Sequence, residues 1–110
     1  MIRFRGRQRD EAAITRDLVE ALANLDATVP VGVEYVGLAK GGGAVRGTVE
    51  VPDRQAYAAA LVACARVLGT DGGRVSVYLT GVLPDGAVIE PADLGLFVRP
   101  NGPQILAGLA

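Results

Sequence analysis

Residues Ala44–Gly69, AVRGTVEVPDRQAYAAALVACARVLG, decide how the rest of the chain is read. Val45, Val49 and Val51 alternate with Arg46, Thr48 and Glu50, the period-2 pattern of a half-buried strand. Pro52-Asp53 breaks that strand, and the Asp53 side chain is placed to cap the free amides of a helix start. From Gln55 to Ala65 there is no charge, and Tyr57, Leu61, Cys64 and Leu68 fall on one helical face. Gly69 then predicts a left-handed C-cap. A strand feeding an alanine-rich helix is a packing unit and carries no catalytic signature.

Upstream of this unit, Val31 to Lys40 reads as a strand with Val33 and Tyr35 on one face and Glu34, Val36 and Leu38 on the other. Gly41-Gly42-Gly43 is a permissive turn, which makes Ala44–Val51 the hairpin partner of that strand. Asp26 to Pro30 is an exit loop, with Pro30 opposing continuation of a preceding helix. The helix itself covers residues 11–25, where Ile14, Leu18, Ala21, Leu22 and Leu25 recur at three- and four-residue steps. Asp10-Glu11 place two acids at its favourable positive end. Residues 2–7, IRFRGR, alternate Ile2 and Phe4 with arginines and predict a first short strand.

Downstream, Thr70-Asp71-Gly72-Gly73 is a turn and Arg74–Val82 a strand. Val75, Val77 and Leu79 face inward on it, with Ser76, Tyr78 and Thr80 outward. Leu83-Pro84-Asp85-Gly86 signals a tight turn, and Ala87–Ile89 returns as a short edge strand. The order strand, helix, strand, strand, helix, strand predicts an α+β fold. Its expected form is a two-layer, ferredoxin-like split βαβ sandwich (βαββαβ) with an extra C-terminal hairpin and apolar tail. Right-handed crossovers give spatial strand order 4-1-3-2, with the first strand central. The chain of 110 residues makes one domain, with residues 91–110 as a C-terminal extension.

Composition removes several classes of function. Half the residues are hydrophobic and mean hydropathy is +0.32, as in a folded chain. No uncharged apolar run reaches the roughly 18 residues of a membrane span, and Met1–Ala13 lacks the apolar centre of a secretory signal. A single cysteine, Cys64, on a buried helix face fits a reduced, cytoplasmic setting. With no histidine in the chain, His triads, His metal sites and His acid–base chemistry are all absent. No metal site or cofactor is expected.

The remaining constellations are weak. Lys40-Gly41-Gly42-Gly43 joins two strands, whereas a phosphate cradle needs a strand-to-helix loop. The carboxylate pairs Asp10/Glu11, Glu50/Asp53 and Glu90/Asp93 sit at helix starts or turns, where acids serve as caps. Ser76, the only serine, is in no nucleophile elbow, and Tyr57 and Tyr78 are isolated as acids. No catalytic set emerges.

Charge is more informative. Arg3, Arg5, Arg7 and Arg9 put four positive charges at the start, while the other seven basic residues face twelve acids, a net −5. In the split βαβ arrangement, Arg3, Arg5, Arg46 and Arg74 gather beside Tyr78 on the helix-free sheet face. That patch reads either as a site for an anionic ligand or nucleic acid, or as a solvated face with Glu34 and Glu50 pairing some arginines. A base-stacking platform of the RNA-recognition type needs aromatics on the third strand, and Arg46–Val51 has none. The C-terminal segment holds Leu94, Leu96, Phe97, Ile105 and Leu106, apolar side chains in need of a partner surface. The sequence therefore predicts a non-catalytic interaction or self-associating module, partnered by a second copy or another protein and not by a membrane. Its alternative is a binder of anions through the arginine face.

Overall fold

The computed structural model describes residues 10–37, 42–69 and 75–94. They form helix α1 (Glu11–Ala23), strands β1 (Val29–Gly37) and β2 (Gly43–Glu50), helix α2 (Arg54–Leu68), strand β3 (Val75–Val82) and strand β4 (Val88–Ile89). A 3-10 turn, Pro91–Leu94, closes the described part. The fold is α+β, with two helices and a four-stranded mixed sheet in the order β1-β2-β3-β4.

Each helix starts where an aspartate can take up its free amides. Asp10 accepts from the Ala13 amide at 2.7 Å, and Asp53 from the Ala56 amide at 2.8 Å. Helix α1 buries Ile14, Leu18 and Leu22, and α2 buries Tyr57, Leu61, Cys64 and Leu68. These side chains pack in one cluster with Val33, Val45, Val49, Val75, Val77 and Leu79 of the sheet. The faces expected from the 3.6- and 2-residue periods are the faces buried. Gly69 has a positive φ of 55° but an extended ψ of −145°, so it ends α2 without the left-handed C-cap expected. Glycine suits such a conformation because it carries no Cβ.

The strand order departs from expectation. β2 pairs with β3 in parallel, from Gly43↔Val75 through Glu50↔Val82, while β1 takes its other edge antiparallel. Both edges of β2 are therefore occupied. The expected central position for residues 2–7, between β2 and β3, does not exist, and the spatial order 4-1-3-2 is corrected. Residues 2–7 themselves lie outside the described residues. What is seen is α-β-β-α-β-β, with α2 carrying the chain from β2 to its parallel neighbour.

β1 also begins earlier than the reading of Asp26–Pro30 as a loop allowed. It starts at Val29 and holds Pro30 inside it, tolerated because β1 is an edge strand that loses no ladder bond to a missing N–H. The register shifts between Val31 and Glu34, where Gly32 adopts φ 63° opposite Gly47. One extra residue on β1 thus faces one on β2, a β-bulge with glycine in the left-handed position. A Cβ on Gly47 would lie 2.5 Å from the Cα of Val33, so the bulge closes only over a glycine.

The free edge of β1 is occupied by α1. The Tyr35 amide donates to Thr15 Oγ1 at 2.8 Å, and the Gly37 amide donates to Glu11 Oε2 at 2.6 Å. Two outward backbone donors of an edge strand are thereby taken up within the chain.

Candidate interaction surface

Opposite the helices, the sheet presents a face that the described residues leave open. Cross-strand partners share a face, so its side chains fall in rows. Val29, Glu50, Val82 and Val88 form the first, and Val31, Thr48 and Thr80 the second. Glu34, Arg46 and Tyr78 form the third, and Val36, Ala44 and Ser76 the fourth. The large hydrophobic side chains left exposed among the described residues are Val29, Val31, Tyr78 and Val88, at 50%, 47%, 53% and 56% exposure. All four stand on this one face. Scattered exposed hydrophobics are ordinary on a protein surface, but their collection on one sheet face is not.

The bulge is what puts two of them there. Without its extra residue, Val29, Val31, Val33 and Tyr35 would alternate onto a single face. With it, Val33 is buried against the helices while Val29 and Val31 emerge on the other side. Reading a loop up to Pro30 left out Val29, while Val31 fell inside the expected strand with its face unassigned. The legible signal was the alternation of Val29, Val31 and Val33 around Pro30 and Gly32.

Of the residues expected to bind an anion, Arg46 and Tyr78 do stand together as cross-strand partners on the open face. Arg3, Arg5 and Arg74 lie outside the described residues. Arg46 is held by Glu34, Nη2 to Oε2 at 2.9 Å, with both side chains more than half exposed. Arg46 is thus neutralised in place by a neighbour on the adjoining strand. Leu94 is half-buried and packs against the core, whereas Leu96, Phe97, Ile105 and Leu106 lie outside the described residues.

Two open grooves lie at the ends of β2 and β3. One, about 520 Å³, includes Val29, Glu50, Pro52, Val82 and Leu83 in its lining and continues the first row of the open face. The other, about 650 Å³, runs over the start of α2 between Asp53, Arg54 and Pro84. Two of its polar side chains are engaged: Asp53 caps the helix, and Arg54 Nη2 donates to the Asp93 carbonyl at 3.0 Å.

Several of the titratable groups weighed for catalysis have structural roles. Tyr57 donates its hydroxyl to the Leu79 carbonyl at 2.7 Å inside the core. Burial raises its phenol well above the ordinary value, and the carboxylates of Asp93 and Glu90 add to that. Burial likewise pushes the Cys64 thiol up to about 12, so it is protonated and inert at neutral pH. Of the paired acids, Asp10 and Asp53 cap helices, Glu11 holds Gly37, and Asp93 Oδ2 accepts from the Glu90 amide at 2.8 Å. No group of three or more metal-ligating side chains occurs among the described residues. None of their helices is long and apolar enough to cross a membrane.

These features define an α+β fold whose sheet has one face covered by helices and the other left open by the described residues. No protein-family model, curated protein or solved structure matches the chain.

Proposed function

We propose that this chain is a non-catalytic protein-interaction module that docks through the open face of its sheet. The observation that carries the reading is that Val29, Val31, Tyr78 and Val88, the exposed large hydrophobics, share that face. Covering such a surface removes apolar area from water, at about 25 cal/mol per Å². The carboxylates of Asp10, Asp53 and Asp93, the thiol and Tyr57 are tied into helix caps, a turn or the core, which supports a binding role over a chemical one. The anion-binding alternative is weakened at Arg46, whose charge Glu34 already offsets.

The test places a benzophenone label on cysteine at one of two positions, Val31→Cys on the open face or Ala59→Cys on the outer side of α2. Buried Cys64 stays unlabelled in the native protein. In extract of the native host, irradiation should give crosslinked products from position 31 and not from position 59. Adding Val29→Lys/Val88→Lys should abolish them. Equal products from both positions would remove the open face as the docking surface.

A further inference from the structure

We propose that the outer edge of β3 is a strand-docking site whose occupant is this chain's own residues 96–99, added antiparallel in continuation of β4. Residues 96–99 lie outside the described residues. The site is an edge and not the open face, so this pairing stands or falls apart from the docking reading above.

Alternate residues of a strand turn their N–H and C=O to opposite sides. The Val82 carbonyl accepts from the Val51 amide at 3.0 Å, so the even-numbered residues of β3 address β2. The Leu83 amide donates to the Ala87 carbonyl at 2.8 Å, so the odd-numbered ones address the outer edge. There β4 pairs only with Gly81 and Val82. Tyr57 takes the Leu79 carbonyl, its ring lying where a Cβ on Gly81 would come within 2.5 Å. The N–H and C=O of Val75 and Val77 and the N–H of Leu79 then have no partner strand among the described residues. Val75 and Val77 are only 2% and 3% exposed, so water does not freely serve these groups. Buried backbone groups are nearly always paired, and a line of alternating donors and acceptors is met by another extended backbone.

The chain itself arrives at this edge. Leu94, which ends the 3-10 turn after β4, packs against the core, and a hollow of about 190 Å³ is lined by Tyr78, Thr80, Glu90, Pro91 and Ala92. The turn is therefore held beside β3 just past the reach of β4. The sequence that follows is Gly95-Leu96-Phe97-Val98-Arg99-Pro100, apolar and strand-forming until a proline that has no N–H to offer. Residues 95–99 extend about 17 Å, the length of residues 75–79. Alternation fixes the sides: Leu96 and Val98 join Leu79 and Val77 under the helices, while Phe97 stands beside Tyr78 and Arg99 beside Ser76. A slip of one residue would drive Arg99 into the core side. Phe97 then widens the open face next to Tyr78. The other strand-like run, residues 2–7, is attached through Asp10 at the opposite edge, where Glu11 holds Gly37 of β1, and would first have to cross β1 and β2.

The test is oxidation of the full chain carrying Tyr78→Cys and Phe97→Cys, in which Cys64 stays buried. Opposed residues that exchange no hydrogen bonds have Cα atoms about 4.5 Å apart, within the reach of a disulfide. A disulfide within one chain is expected, formed at least tenfold faster than in the diagonal pair Ser76→Cys/Phe97→Cys. Amide hydrogen exchange gives a second measurement. Val77 and Leu79 should be protected in the unmodified chain, and Val98→Pro should speed their exchange at least tenfold while the Val45 amide, inside the sheet, keeps its protection. A disulfide no faster than the diagonal pair, or one that joins two chains, overturns the proposal. So does exchange at Val77 and Leu79 that Val98→Pro leaves unchanged. Should Val98→Pro release Val45 as well, the disulfide rates decide.

Discussion

Val45 and Val31 are the same residue type, on neighbouring strands of one sheet, and they live in different worlds. Val45 is wholly buried beneath the helices, with Val49 and Leu79 beside it, whereas Val31 is 47% exposed on the opposite face. Strand propensity is equal at the two positions, so propensity cannot explain the difference. Layering does: both helices cover one face, and the described residues supply nothing for the other. The inner valines hold the domain together, while the outer ones are available to a partner.

The harshest way to break this comparison is at the bulge that sorts the valines. Gly47→Ala puts a Cβ within 2.5 Å of the Val33 Cα and 2.7 Å of the Gly32 carbonyl, at a residue whose φ is 134°. Backbone strain of about 1–3 kcal/mol and overpacking of similar size should add, lowering the urea midpoint more than any single truncation on the open face. A neutral outcome would mean that the bulge does not fix which valines are buried.

The next largest effect compares the faces directly. Val45→Ala removes two buried methyl groups and should cost about 2 kcal/mol. Val31→Ala should cost under about 0.5 kcal/mol at low protein concentration, as surface changes do. Denaturation repeated at high concentration sharpens the contrast, since any association through the open face adds stability that only Val31→Ala would then lose. Equal costs at low concentration would place Val31 in the core.

The smallest effect concerns pH, and it belongs to the helix layer. Cys64 has its folded value pushed up to about 12, against roughly 8.5 in an unfolded chain. Below about pH 8.5 both states keep the proton and the contribution is full. Above it the unfolded chain releases the proton first, so stability falls as pH rises toward the folded value, by at most about 1.4 kcal/mol per pH unit. Tyr57, also raised, acts in the same sense at higher pH. Urea midpoints at pH 8.5 and pH 10 should decline, and Cys64→Ala should flatten that decline. An unchanged slope in the variant would remove Cys64 from the cause.

Most of the layering was legible because it is local. Leu18 and Leu22, Tyr57 and Leu61, and Val75, Val77 and Leu79 reveal their buried faces through spacing alone. The Asp53 cap was legible from its place between a strand and an uncharged helix. Strand order was not, because the alternation of Ile2-Arg3-Phe4-Arg5 describes a strand without saying what it pairs with. The parallel β2–β3 pairing depends instead on where α2 delivers the chain. The open face was half legible: Arg46 and Tyr78 were placed on it, but Val29 and Val31 were lost to a bulge one residue long. Such an insertion reverses every face assignment upstream of it, and local spacing carries no mark of the register that it changes.

The contact of α1 with the edge of β1 bears on how that edge is kept from pairing with another strand. Glu11 is the first residue of its helix and Thr15 lies one turn further in, the region where helices open most readily. An opening confined to that turn would release the amides of Tyr35 and Gly37, whose acceptors are Thr15 and Glu11. An extended strand with bared donors is a template for another strand. Fraying of that one helical turn is therefore the expected local route to an exposed strand edge, and amide hydrogen exchange at Tyr35 and Gly37, faster than at core amides, is the measurement that checks it.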